Sequence, residues 1–404
     1  MKKEEFYEII PKNEVEEIVK GTELPAFIYF KKIIKRKHDE LKGCLPRNFE
    51  IHYAFKANPN RDVLRIVKTL DIGADVASLG ELELAKDMGY PPEKIEFTGP
   101  GKTTEELTLA IDMGISSINA ESISEIEKIA AICRRKHKTG NVGVRVNPKK
   151  ISASAMKMGS DSQFGMIEED LDEALQRIKS EEEFVNFSGF QMHLGSQFMD
   201  AEKLLANFRF ILEKVGELVD RYRLKIGKVN FGGGWGIDMF ARKEPLNLSV
   251  LKEGLKELFS DRHEQAFEGN VRFIVEPGRF LVAEAGLYAV EILYRKRGYQ
   301  REFLVVNGGM HQHYAAAGGI GQVIRRNYEI DSLPEEKRHG EKMTYFIAGS
   351  LCIPDDILAT EISLPRSTNE GDILLFFNSG AYGFSASPLK FLSHAFPKEI
   401  MIAP

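Results

Sequence analysis

Long hydrophobic runs are missing from this sequence. Its apolar stretches, such as Ile373 to Phe377, fall far short of the ~20 residues needed to span a bilayer, so no membrane partner is expected. The start, Met1-Lys-Lys-Glu-Glu-Phe-Tyr, lacks the apolar centre of a secretory signal, which predicts a cytoplasmic chain. Cysteine is sparse. Cys44, Cys133 and Cys352 form an odd set without CxxC spacing, which speaks against a disulfide framework or a structural zinc site and fits a reducing compartment. No metal is expected. Charge of one sign is lacking too: 55 Lys and Arg against 60 Asp and Glu leave -5, without the basic field that non-specific nucleic-acid binding requires. At 43% hydrophobic and 28% charged, with 35 Gly and 16 Pro among 404 residues, collagen-like, low-complexity and largely disordered classes are excluded.

What is present is a rhythm. From about Pro25 to Arg279, short apolar or β-branched runs alternate with polar turns and stretches of helical spacing. Candidate strands are Ala26–Phe30, Ile51–Phe55, Ala74–Ser78, Ile95–Thr98, Ser117–Asn119, Val142–Val146, Phe187–Leu194, Lys228–Phe231 and Phe273–Val275. The helical stretch Leu204–Leu218 puts Leu204, Leu205, Phe208, Ile211, Leu212 and Val215 on one face. About eight such units in about 255 residues match a closed (β/α)8 TIM barrel better than an open Rossmann sheet. After Arg279 the runs become β-rich, predicting a C-terminal, mainly antiparallel β-sandwich or barrel. The expected division is therefore a barrel over 26–279 and a β domain from 1–25 and 280–404, since the ends of one domain commonly lie close together. The charge-rich stretch Asp331–Lys342 reads as an exposed loop.

In such a barrel, the C-terminal strand ends face the active site. Those ends carry Lys56 with Asn58, Asp75 with Ser78, Arg145 with Asn147, His193 with Ser196, the run Gly232-Gly233-Gly234, and Glu276-Pro277-Gly278-Arg279. An isolated lysine is usually a surface residue, whereas one desolvated at a barrel mouth frees its amine for covalent attachment to a carbonyl. Three successive glycines form either a tight turn or a place where exposed amides cradle a phosphate. Glu276 reads either as half of an ion pair with Arg279 or Arg145, or as a carboxylate that keeps a heteroaromatic nitrogen protonated. His193 is either a satisfied core histidine or a ring stacked on a planar cofactor.

Taken together, the pieces resemble a family. Tyr53-Ala-Phe-Lys-Ala-Asn, Ala74-Asp-Val-Ala-Ser with Gly80-Glu81, Val144-Arg-Val-Asn-Pro, Gln163-Phe-Gly, His193-Leu-Gly-Ser, Phe231-Gly-Gly-Gly, Glu276-Pro-Gly-Arg, Cys352 with Asp356, and Gly380-Ala-Tyr-Gly occur in order. This order is similar to that of the fold-type III pyridoxal-phosphate decarboxylases, which include diaminopimelate and ornithine decarboxylases. The resemblance implies a barrel of the alanine racemase type and pyridoxal phosphate as cofactor. It implies that Lys56 holds the cofactor covalently, that His193 stacks on it, and that Glu276 partners its ring nitrogen. Ser196, Gly232, Gly233, Gly234, Gly278, Arg279 and Tyr382 match positions at the cofactor phosphate, while Asp75, Arg145 and Glu81 match residues around the cofactor and lysine. Cys352 matches a cysteine that crosses a dimer interface to protonate the carbanion left by decarboxylation. A homodimer with shared active sites follows from it.

The substrate-facing positions depart from the diamino-acid enzymes. Where those carry an acidic residue after the cysteine, Ile353 stands here, and their distal-carboxylate arginine is replaced by Ala315. His311, His313 and Asp356 are the candidate substrate-binding residues. The run Gly308-Gly-Met-His-Gln-His, with Gly321-Gln-Val-Ile-Arg-Arg-Asn and Phe391-Leu-Ser-His, resembles a subgroup that includes the butirosin-pathway enzyme acting on glutamate held as a carrier-protein thioester. The resemblance thus implies a small amino-acid substrate, free or tethered to an acyl-carrier protein. A free diamino-acid decarboxylase such as one for diaminopimelate, an amino-acid racemase on the same fold, and a non-catalytic regulatory homologue are the alternatives.

Overall fold

The computed structural model describes residues 1–149, 156–157, 161–241, 243–260, 270–320, 322, 325–334, 336 and 340–403. The chain divides into two compact units, one of Met1–Lys37, Ile237–Pro245 and Arg279–Pro404, the other of His38–Gly236 and Leu246–Gly278.

The second unit is a barrel. Eight parallel strands run in the order Ser117–Ala120, Ile95–Thr98, Gly73–Val76, Phe49–Ala54, Arg272–Val275, Lys228–Asn230, Val185–Gln191 and Gly140–Asn147, and the first pairs with the last to close the ring. Helices such as Arg61–Thr69, Thr104–Met113 and Ala201–Tyr222 alternate with the strands and bury an apolar face. Side-chain caps set the helix starts: Asn60 accepts from Asp62 and Val63 ahead of Arg61–Thr69, and Asp200 accepts from Glu202 and Lys203 ahead of Ala201–Tyr222. Thr103 and Glu106 form a reciprocal capping box at Thr104–Met113. Between strands and helices lies an aromatic cluster, in which the Phe49 and Phe259 rings meet edge to face at 4.7 Å and Phe208 stacks on Phe231 at 4.7 Å.

The other unit is built on a mixed sheet. Its strands Ala26–Phe30, Gly286–Arg297, Glu302–Val306, Ile330–Leu333, Lys342–Ala348, Ile357–Pro365, Ile373–Phe376 and Lys398–Ile402 pair antiparallel in most cases. Two pairings are parallel: Ala26–Phe30 with Lys398–Ile402, and Glu302–Val306 with Lys342–Ala348. Phe6, from the helix Lys3–Ile9, packs edge-on against Phe30 and Phe377, each at 5.2 Å.

Two expectations change. Ala26–Phe30, the first run of the βα rhythm, is no barrel strand; it pairs with Gly286–Arg297 and Lys398–Ile402. All five of its residues are buried, and such a strand reads alike in any sheet covered on both faces. In the stretch Asp331–Lys342, expected as an exposed loop, Asp331, Ser332 and Leu333 belong to a buried strand paired with Ile373–Phe376. Charge composition misread it because the Asp331 carboxylate has internal partners, including the Tyr7 hydroxyl, which donates to it at 2.7 Å. Residues 335 and 337–339 of that stretch lie outside the described residues, as do Gly321, Val323 and Ile324 of the glutamine-arginine run.

Candidate active site

Within the barrel unit, the strand-end residues come together. The strand Phe49–Ala54 ends in a single tight turn, Phe55–Ala57, which projects Lys56 over the rim. Its Nζ lies 3.3 Å from Oδ2 of Asp75, on the adjacent strand. The lysine side chain is half exposed and the aspartate buried, so Lys56 stands at the rim as the partner of a buried carboxylate. Asp75 Oδ1 is buried with no hydrogen-bond partner among the described residues. Glu81 lies behind them, accepting from Ala77 N at 2.8 Å; burial, with the Asp75 charge, pushes its carboxyl up to about 7.

Glu276 follows the strand Arg272–Val275 and is buried. Asn230 Nδ2 donates to its Oε1 at 2.6 Å and Gln191 Nε2 to its Oε2 at 3.3 Å. Burial, reinforced by the negative charges of Asp75 and Glu96, raises its carboxyl to about 8. Arg145 does not pair with it among the described residues. Arg145 instead donates to Glu121 Oε1 at 2.8 Å and lies 4.9 Å from the centre of the Phe164 ring. Sequence reasoning missed Glu121, which also accepts from Gly165 N at 2.8 Å.

His193 Nδ1 accepts from Gly233 N at 3.0 Å. The residue is half-buried, and its burial with the positive charges of Arg145 and Lys56 pushes its titration down to about 3. The imidazole is therefore neutral at pH 7. The glycine run beside it has physical cause. Gly232 and Gly234 take φ of +65° and +100°, and a Cβ on Gly233 would stand 2.5 Å from the Glu276 carbonyl oxygen. A Cβ on Gly278 would stand 3.0 Å from the Cβ of Ala57. Ser196 sits in the short strand Gly195–Ser196, two residues before Phe198, whose N–H bonds to Gly234 O at 2.9 Å.

The β unit holds the remaining candidates. The Arg279 guanidinium lies 4.5 Å from the centre of the Tyr382 ring. Cys352 is exposed. Asp356 is buried, and its Oδ1 and Oδ2 accept from the backbone N–H groups of Met310 at 2.6 Å and Leu351 at 2.7 Å. It thereby stitches the Cys352 loop to the Gly308–Met310 segment, and a Cβ on Gly349 would collide with its carboxylate. The two histidines differ. His313 is fully buried with Nε2 on Ser379 Oγ at 2.9 Å and Nδ1 accepting from Ala316 N at 3.3 Å, a satisfied core residue. His311 is equally buried, but neither ring nitrogen has a hydrogen-bond partner among the described residues. Its ring lies 4.8 Å from that of His394, and burial together with the His394 charge pushes its titration down to about 4.

A buried acid with raised proton affinity, a rim lysine, a neutral imidazole face and a glycine cradle define the class of the site: covalent chemistry on an amine, assisted by a planar heteroaromatic group. The family of pyridoxal-dependent decarboxylases, in its pyridoxal-binding domain, matches residues 31–283, and the chain belongs to it. It is 33% identical over 394 residues to the L-glutamyl-BtrI acyl-carrier protein decarboxylase of Niallia circulans, covering 96% of this chain and 91% of that protein. It is 29% identical to the 2-((L-alanin-3-ylcarbamoyl)methyl)-2-hydroxybutanedioate decarboxylase of Staphylococcus aureus, with 96% of each chain covered. The crystal structure of diaminopimelate decarboxylase from M. jannaschii superposes with a TM-score of 0.86 at 28% identity, over 96% of this chain and 89% of that one. The chain is accordingly a pyridoxal-phosphate-dependent amino-acid decarboxylase. The rim fits that cofactor on its own geometry: the buried Asp75 oxygen beside Lys56 has no partner among the described residues and calls for a polar group there. Among the described residues, no helix is long and apolar enough to cross a membrane, and no cluster of His, Cys, Asp or Glu is arranged to hold a metal.

Proposed function

We propose that this decarboxylase removes the α-carboxylate of an L-amino acid whose side-chain carboxyl is conjugated to a larger group, such as a glutamyl thioester on an acyl-carrier protein. The observation that carries the reading is the state of Asp356. The carboxylate nearest Cys352 in the chain that is also buried is committed to two backbone N–H groups, and the neighbouring Ile353 offers nothing to an ammonium. Asp356 is therefore spent before it could anchor the distal ammonium of a free diamino acid, whereas a substrate tethered at its far end needs no such anchor. The Niallia circulans relative, by its name, acts on such a tethered glutamyl group. Arg325 and Arg326 supply positive charge for an acidic carrier.

In this reading, pyridoxal phosphate supplies an aldehyde for covalent attachment to amines and a ring that draws electrons from the bond being broken. Lys56 holds that attachment at Nζ, beside the Asp75 carboxylate. Glu276 holds a proton at the ring nitrogen, and the neutral His193 presents its face to the ring. Ser196, Gly232, Gly233, Gly234, Gly278, Arg279 and Tyr382 bind the phosphate. As the bond from Cα to the carboxylate breaks and carbon dioxide leaves, Cα takes a proton from the Cys352 thiol, which a second copy of the chain contributes in a homodimer. His311 is the histidine of its segment with hydrogen-bonding capacity left for substrate.

The test is carbon dioxide release from glutamyl-loaded carrier protein beside free diaminopimelate, lysine, ornithine and glutamate. Turnover of the loaded carrier is expected to exceed that of every free amino acid. Rapid turnover of a free diamino acid would overturn the conjugate reading.

A further inference from the structure

The interior of the barrel contains an ion pair that none of the rim chemistry uses. Glu96 and Lys228 have fully buried side chains, with Lys228 Nζ 2.7 Å from Glu96 Oε1. Counting round the closed ring, their strands stand opposite each other, so the lysine stem crosses the barrel where branched apolar side chains usually fill the space. Glu96 Oε2 also accepts from Asn119 Nδ2 at 3.0 Å and Asn230 Nδ2 at 2.7 Å. The same Asn230 amide nitrogen donates to Glu276 at 2.6 Å, and its Oδ1 accepts from Gly232 N at 2.8 Å. That last bond leaves the carboxamide one orientation: oxygen toward the glycine run, nitrogen between two carboxylates.

We propose that Glu96, anchored by Lys228, is a positioning residue for Glu276, acting through the Asn230 carboxamide to fix the orientation of Glu276 and its hold on a proton.

The geometry gives both halves. An amide with one hydrogen on each carboxylate ties Glu276 to a group that cannot move, because Glu96 is itself held from three sides. A negative charge one side chain behind a buried carboxyl raises its proton affinity. The charged and titratable groups facing Glu276 are Asp75 and Glu96, which favour its proton, and Lys56, which opposes it; Lys228 stands behind Glu96, and Gln191 and Asn230 are neutral. Glu96 stays ionised: burial works against its charge, but the Lys228 ammonium and His52 bring its carboxyl down to about 2. A purely structural pair in this place would be replaceable by apolar side chains at little cost and would leave Glu276 unaffected.

The inference rests on the reading of Glu276 as the ring-nitrogen partner only for its catalytic consequence; the effect on Glu276 is measurable without cofactor. In the full chain freed of pyridoxal phosphate, carboxyl infrared difference spectra follow the titration of Glu276, with Glu276→Gln assigning the band. Glu96→Gln is expected to lower the midpoint by about one pH unit or more. Glu96→Gln combined with Lys228→Met, which removes both charges and keeps the packing, is expected to lower it less, in the same direction. It decides the matter if the single variant does not fold. An unchanged midpoint in the double variant overturns the proposal. Borohydride trapping at Lys56 in the loaded wild-type protein tests the cofactor reading separately, so the two can fail independently.

Discussion

Both units of this chain bury charged groups, but they set them differently around their candidate residues. In the barrel, charges are buried in quantity and wired together: Lys228 to Glu96, Glu96 through Asn230 to Glu276, and Arg145 to Glu121. In the β unit, the Met1 ammonium and Lys37 share Glu284 at 2.6 and 3.1 Å, whereas in the segments of the candidate residues the buried histidines sit neutral, Asp356 is spent on backbone N–H groups, and Cys352 stands exposed. The barrel is a preorganised electrostatic frame whose groups cannot relax when charge develops. The β unit carries Cys352, the proposed acid, on a loop held by backbone stitching through Asp356. The comparison teaches that the two catalytic ends should fail differently.

Lys56→Ala should show the largest effect, with carbon dioxide release falling about 10³-fold or more because the covalent anchor is lost. Residual turnover near the wild-type rate would break the assignment of covalent work to the barrel. Next comes Lys228→Met, which leaves Glu96 buried without its partner and should destabilise the chain by about 3–5 kcal/mol in urea unfolding. The double variant with Glu96→Gln should recover most of that, and equal stability of single and double variants would show that the two buried groups do not depend on each other.

Cys352→Ser should lower turnover about 10²-fold while cofactor absorbance and unfolding midpoint stay unchanged. A parallel loss of cofactor binding would show that the loop is part of the frame after all. Last is a pH effect in the cofactor-free protein. Glu276 titrates at about 8 when folded against an ordinary value of 4.5, so between these values the folded chain holds a proton that the unfolded chain has lost. Stability should therefore fall as pH rises through that window, with a slope approaching about 1.4 kcal/mol per pH unit. Unfolding curves of Glu276→Gln should lose that part of the slope, and an identical slope in variant and wild type would remove Glu276 from the frame.

Much of the site was legible in order along the chain. Lys56, Asp75, His193, the glycine run and Glu276 lie at or just beyond the C-terminal ends of strands, and a period that separates strands from helices says which residues share a rim. Glu96 and Lys228 carried no such signal, since each sits toward the start of its strand and meets its partner only across the closed ring. The distinction between His311 and His313 was equally hidden: two residues apart in one segment, one has its nitrogens filled by Ser379 and Ala316 and the other has none filled. Ala26–Phe30 was read as a barrel strand because apolar runs state that they are covered, not by which sheet.

Sequence alone determined the class of chemistry, because residue types and spacing dictate which groups can attach an amine, receive a ring nitrogen and cradle a phosphate. It likewise determined the barrel, since local periodicity is a property of neighbouring residues. Tertiary structure alone decided which buried charges face each other, which carboxylate is spent on the backbone, and which histidine remains unsatisfied. These depend on distances between residues as far apart in the chain as Glu96 and Lys228, or Met310 and Asp356, and local pattern carries no record of such distances.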